Sequence, residues 1–185
     1  MDTNKATDSQ YRHAFMDDAL STDDAVALSE KLKKNELNPE MLARAALLRA
    51  QSVNPSICAI NYLIDQDQLS ADGTAKLMPH PQSEHFFHGI PSFLKDNVAY
   101  KDMPTSFGSN AFPPKIESKH GPYAKQFSEM GMRILGKSSL PEFGFNASTE
   151  PVHKEATKNP WNINFSSGAS SGGSAALVAA GVVPF

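Results

Sequence analysis

Apolar and polar residues along this chain follow two different periods, and the switches between them mark out its elements. Ala25, Leu28 and Leu32 recur at helical spacing behind Ser21-Thr22-Asp23-Asp24, a hydroxyl cap followed by acids. Asn38-Pro39-Glu40 starts a second helix with Pro in its first turn. Met41, Ala45 and Leu48 supply its apolar face, and Asn54-Pro55 is expected to stop it. Residues 21–53 therefore read as a helical hairpin. Residues 1–20 have no clear period and read as a loose arm.

Ile57 to Ile64 is a short, mostly apolar run of strand type, and residues 65–87 are polar, a short helix or loop. Gly89 to Val98 reads as a second strand and its end. Gly121-Pro122 opens a helix with Tyr123, Phe127 and Met130 on one face, closed by Gly131. Met132 to Leu135 is strand-like, and Pro141, Pro151 and Pro160 break residues 138–170 into irregular structure. An apolar helix comes next, from Ala175 to Ala180, and Gly181 to Phe185 starts a final strand. Strands alternating with helices predict an α/β fold with a largely internal sheet.

The 185 residues suffice for one domain with a real core. A net charge of −3 argues against a nucleic-acid partner, because phosphate binding needs a basic face. No apolar stretch approaches the roughly 20 residues that span a bilayer, so no membrane association is expected. The first twenty residues are too polar and acidic for a signal peptide. Cys58 is the only cysteine, which excludes an intrachain disulfide and fits a reducing, cytoplasmic location. The apolar ending Gly181-Val182-Val183-Pro184-Phe185 reads as a domain cut short.

Four stretches carry candidate chemistry. Gly131 to Ser138 fits the phosphate-loop pattern G-x-x-x-x-G-K-[ST], but a helix precedes it, its middle is bulky, and Pro141 interrupts any helix after it. It reads as a helix stop and a buried strand. His80, Glu84, His85 and His88 match no helical zinc spacing, and Pro81 breaks any helix there, so a solvated loop is the better reading and no metal is expected. Lys95 ends an apolar run that carries it towards the interior. A buried ammonium either pairs, here with Asp96 or another acid, or loses its proton and can act as a general base. Lastly, Ser170-Ser171-Gly172-Gly173-Ser174 precedes an apolar helix. One serine suffices for a cap, whereas a block of small residues exposes N–H groups and can orient a hydroxyl.

Together these pieces resemble the amidase signature family. The residues that carry the resemblance are Gly89-Ile90-Pro91 with Leu94-Lys95-Asp96-Asn97, Thr105 to Ser109, Gly136-Lys137 with Pro141-Glu142-Phe143-Gly144, Ser148-Thr149-Glu150, Lys158 to Asn162, and Ser170 to Ala176 with Val178 to Gly181. It covers nearly everything from residue 21 onward. It implies a mixed sheet covered by helices and preceded by a helical hairpin, with residues 21–185 the N-terminal portion of a single amidase signature domain. It further implies amide hydrolysis by a serine–cis-serine–lysine triad without metal or organic cofactor. Lys95 matches the lysine and Ser170 the cis-serine, supported by Ser171, Gly172, Gly173 and Ser174. Gly144, Phe145 and Asn146 match substrate-contacting positions. The family usually has Gly before the cis-serine, where this chain has Ala169.

The family's nucleophilic serine and oxyanion-hole amides belong to a later Gly-Gly-Ser block, which falls beyond Phe185. The chain alone is therefore expected to be inactive, with the missing C-terminal part of the same domain as its natural partner and a small amide as substrate. Thr149 to Trp161 looks most like hydrolases of small linear or cyclic amides, such as 6-aminohexanoate cyclic dimer hydrolase, and less like the glutamine-dependent tRNA amidotransferases. The rival readings are a non-catalytic interaction module, the remnant of a decayed amidase gene, and that amidotransferase branch.

Overall fold

The computed structural model describes residues 10–65 and 85–185. The hairpin is present as α1 (Ala25–Lys33) and α2 (Pro39–Ile57). Asp24 caps α1 by accepting from the amides of Val26 and Ala27, and Asn38 caps α2 through Met41. Two details differ from expectation. α2 runs through Pro55 to Ile57, because the missing proline N–H removes one bond and the Asn54 side chain then accepts from the amides of Ala59 and Ile60 at the exit. Its buried face is also rotated. Met41 and Leu48 face outward, while Leu42, Ala46, Ala50 and Val53 are buried, the two alanines letting the helix pack closely.

A three-stranded mixed sheet forms the centre, in the order β1 (Ile60–Leu63), β5 (Arg133–Ser138), β2 (Pro91–Lys95). β1 runs antiparallel and β2 parallel to β5. Every residue of β5 and the first four of β2 are buried, so both faces of the sheet are covered. α2 and the last helix, α4 (Gly172–Ala179), pack on β2 and β5. Between the strands of this sheet lie a small ladder, β3 (Pro104–Thr105) with β4 (Lys115–Ile116), and α3 (Pro122–Glu129). The stretch expected to be irregular contains a helical turn at Glu142–Gly144 and a hairpin, β6 (Lys158–Asn159) with β7 (Asn162–Ser166). Residues 182–185 form no strand; Val182 and Val183 are buried, and Phe185 lies against Phe87 and Phe127.

Residues 10–20 are not loose. Ala14 and Leu20 join the same apolar core as α2, the sheet and Val183. The Arg12 amide donates to the Pro160 carbonyl and the Ala14 amide to the Ala180 carbonyl, and Tyr11 stacks on Trp161 with ring centroids 5.0 Å apart. Backbone pairing and aromatic contact hold the segment, and neither has a short sequence period. The first nine residues of the expected arm and most of the polar stretch after β1 lie outside the described residues.

Candidate active site

β2 delivers Lys95 as its last residue, half-buried at the end of the sheet. From the other side the loop between β7 and α4 delivers Ser170. The Ala169–Ser170 peptide bond is cis. Thr149, fully buried, donates from its hydroxyl to the Gly168 carbonyl at 2.7 Å and so holds the loop from below. Across 75 positions of sequence, Lys95 Nζ donates to Ser170 Oγ at 2.7 Å. Burial pushes the Lys95 amine below its ordinary value.

The surroundings of Lys95 bear on its two readings. Among the described residues no ion pair includes it. The carboxylate of Asp96 faces elsewhere, accepting from Asn61 Nδ2 at 2.8 Å and from the amide and hydroxyl of Ser106. Among the described residues the salt-bridge alternative therefore has no partner, and a half-buried lysine that donates to a serine hydroxyl is placed to exchange a proton with it.

The small residues after Ser170 serve close packing rather than capping. Ser171 sits at the N-cap of α4 but makes no capping bond with its side chain. A Cβ on Gly173 would lie 2.3 Å from the Ser139 nitrogen and 2.6 Å from the Ala59 oxygen, both backbone atoms. One on Gly172 would lie 2.3 Å from Thr149 Oγ1, 2.5 Å from Ser167 Oγ and 2.9 Å from Thr149 Cβ, so Thr149 would have to shift and give up its bond to the Gly168 carbonyl. Gly173→Ala and Gly172→Ala are accordingly each expected to destabilise the chain by about 1–3 kcal/mol. Urea unfolding of the two variants checks this, and a loss below about 0.5 kcal/mol in either contradicts it. Ser174 Oγ pairs with Ser138 Oγ at 2.7 Å, and Ser138 is the register partner of Lys95 on β5. Lys95, Asn97, Ser171 and Ser174 line one end of a cavity of about 420 Å³ whose other walls include Phe127 and Phe185.

Gly144, Phe145 and Asn146 do not line this cavity, and the Phe145 side chain is 93% exposed. The phosphate-loop pattern falls on β5. Gly136 lies mid-strand, where a Cβ would sit 2.2 Å from the Tyr62 carbonyl oxygen, and Lys137 is fully buried on the Val98 carbonyl. No loop is present there to cradle a phosphate. Of the histidine cluster, His80 and Glu84 lie outside the described residues, and His85 and His88 occupy the turn before β2. Among the described residues no three His, Cys, Asp or Glu side chains come together as metal ligands, and no helix is long and apolar enough to cross a membrane. Sequence reasoning misses the hydroxyl pair Ser138–Ser174 and the Asp96 contacts; the only signal for the former is the Ser174 already quoted with its block.

Comparison with known proteins shows the family. The profile of the Amidase family matches residues 41–185. A protein of Mycobacterium tuberculosis named as a putative amidase, AmiC, is 39% identical over 175 residues, covering 93% of this chain and 35% of that protein. An acylamidase of Rhodococcus erythropolis is 33% identical over 162 residues, covering 86% of this chain and 34% of that enzyme. The solved structure of 6-aminohexanoate cyclic dimer hydrolase superposes with a TM-score of 0.76 at 29% identity, over 91% of this chain and 34% of that one. A glutamyl-tRNA(Gln) amidotransferase chain from Solidesulfovibrio magneticus also matches, 33% identical over 162 residues, covering 88% of this chain and 33% of its own length. The chain spans about a third of the length of the curated relatives it matches. With the family profile running from the second helix through the cis-serine loop, the chain belongs to the amidase signature family.

Proposed function

We propose that this chain carries the proton-transfer half of an amide hydrolase, with Lys95 as general base and Ser170 as relay. The observation that supports this most is the 2.7 Å contact of Lys95 Nζ with Ser170 Oγ at a desolvated strand end. In this reading the neutral Lys95 amine accepts the Ser170 hydroxyl proton, and Ser170 accepts one from a nucleophilic serine supplied by sequence beyond Phe185. That serine attacks the amide carbonyl, the C–N bond breaks as the proton returns to the leaving amine, and water releases the acid from the acyl-enzyme. The amides that stabilise the oxyanion belong to the same later sequence. No step calls on a metal or an organic cofactor.

The substrate class favoured is a small linear or cyclic amide, supported by the likeness to 6-aminohexanoate cyclic dimer hydrolase. The amidotransferase branch is the second reading, supported by the match to the Solidesulfovibrio chain. The single cysteine supports a cytoplasmic location for the activity. β2 has a partner strand on one edge only among the described residues, which fits completion of the sheet by further sequence.

Amine release from a panel of aliphatic and cyclic amides tests the proposal. A protein of full family length built on this segment is expected to turn over at least one of them. Residues 1–185 alone are expected to give no turnover above a Lys95→Ala control. Turnover by the short chain would put the nucleophile inside it and contradict the assignment.

A further inference from the structure

Lys137 is a lysine with 0% exposure at the middle of a sheet. It belongs to the Gly136-Lys137 pair that mimics a phosphate loop, and neither nucleotide binding nor the proposed proton transfer uses it. Its ammonium donates to the Val98 carbonyl oxygen and lies 3.4 Å from Thr105 Oγ1. The carboxylates facing it are Asp96 and Glu117, which partly offset the burial that lowers its pKa. A charge in this position is not needed to fill space, since an apolar side chain of similar length would do so at less desolvation cost.

The shorter contact of Lys137 falls on the turn after β2, and the longer one on Thr105 of β3. β2 ends at Lys95, and the chain turns at once, the Val98 amide donating to the Lys95 carbonyl at 2.9 Å. The Asp96 amide donates to the Ser138 carbonyl, and its carboxylate is fixed by Asn61 and Ser106. Lys137 closes the far side of this turn through the Val98 oxygen. β2 pairs on one edge only among the described residues, so the turn at its end shares in holding its last residue, and Lys137 is one of the groups that fix that turn. We infer that Lys137 is a positioning residue for Lys95, its buried ammonium fixing the turn that ends the strand on which the base stands. The inference rests on the reading of Lys95 as a base.

The test is competitive acetylation with limiting acetic anhydride across neutral to alkaline pH, with the Lys95 peptide quantified by mass spectrometry in the wild-type chain, Lys137→Met and Lys137→Gln. Thermal unfolding of each variant is recorded alongside. In the wild type Lys95 should titrate below the ordinary lysine range. In Lys137→Met the strand end loosens, Lys95 becomes hydrated, and its neutral fraction at fixed pH falls about tenfold for each unit its pKa recovers. Lys137→Gln, which keeps an N–H donor, should fall between. A lowered Lys95 in the wild type that is unchanged in both folded variants overturns the positioning role alone. An ordinary Lys95 in the wild type overturns the base reading and the positioning role with it. If Lys137→Met fails to fold, the glutamine variant decides. Loss of folding in both overturns the assignment, since Lys137 then supports the whole sheet rather than the strand end.

Discussion

Lys95→Arg is expected to abolish amide hydrolysis in a full-length protein built on this segment, lowering kcat by about a hundred- to ten-thousand-fold. The guanidinium keeps its proton throughout the working range and cannot accept one from Ser170. Lys95→Ala should lose as much, because no other amine or imidazole contacts Ser170 Oγ among the described residues. Neither variant should lower the unfolding midpoint greatly, since among the described residues Lys95 forms no ion pair whose partner would be stranded. The pH dependence has a defined sign. The base acts only when neutral, so kcat/KM should rise as pH rises through the Lys95 pKa, and burial puts that rise below the ordinary lysine value of about 10.4. A lysine serving as a structural cation predicts the reverse pattern: arginine would retain activity in part, and alanine would lose stability before rate.

The largest effect on stability is expected at Arg49, on the buried side of α2. Its guanidinium is 2% exposed and donates to both carboxylate oxygens of Asp18, at 2.6 and 2.9 Å. It also donates to the carbonyls of Gly181 at 2.7 Å, Ser21 at 2.7 Å and Met16 at 3.1 Å. One side chain thereby ties the segment before α1 to the residues after α4, the helix next to the Ser170 loop. Arg49→Met removes the donors and leaves Asp18 and three carbonyls without them. A loss of about 3 kcal/mol is expected, at the low end for a broken buried pair because Asp18 stays 19% exposed and keeps the amides of Leu20 and Ser21. Urea unfolding measures it. A loss below about 1 kcal/mol, the range of an exposed pair, would contradict the structural role given to Arg49.

These two residues show how far local pattern reaches. The helical hairpin, the strands around Leu94 and Ile134, and the apolar helix after Gly173 announce themselves through local period and caps, because one buried face imposes a regular spacing. Lys95 and Ser170 are legible only through the resemblance of several ordered blocks, since no spacing rule links residues 75 positions apart. Arg49 is silent in the sequence because it sits in a run of Ala and Leu whose spacing speaks only of helix. Its weight comes from a set of carbonyls up to 132 positions away. The same limit applies to the segment at residues 10–20, held by backbone bonds to Pro160 and Ala180, and to Pro55, whose helix continues because Asn54 captures the amides beyond it. Gly144 to Asn146 mark a different case: the resemblance assigns them to substrate, and in this chain they do not line the cavity beside Lys95.

The claim on which the rest depends is that Lys95 presents a depressed, exchangeable amine to Ser170. NMR titration of the selectively ¹³C-methylated Lys95 amine in this chain, with Ser170→Ala as comparison, measures it directly. The account predicts a Lys95 midpoint below the ordinary lysine value of about 10.4, and a changed chemical shift when the Ser170 hydroxyl is removed. A midpoint at or above that value, with no response to Ser170→Ala, would contradict it.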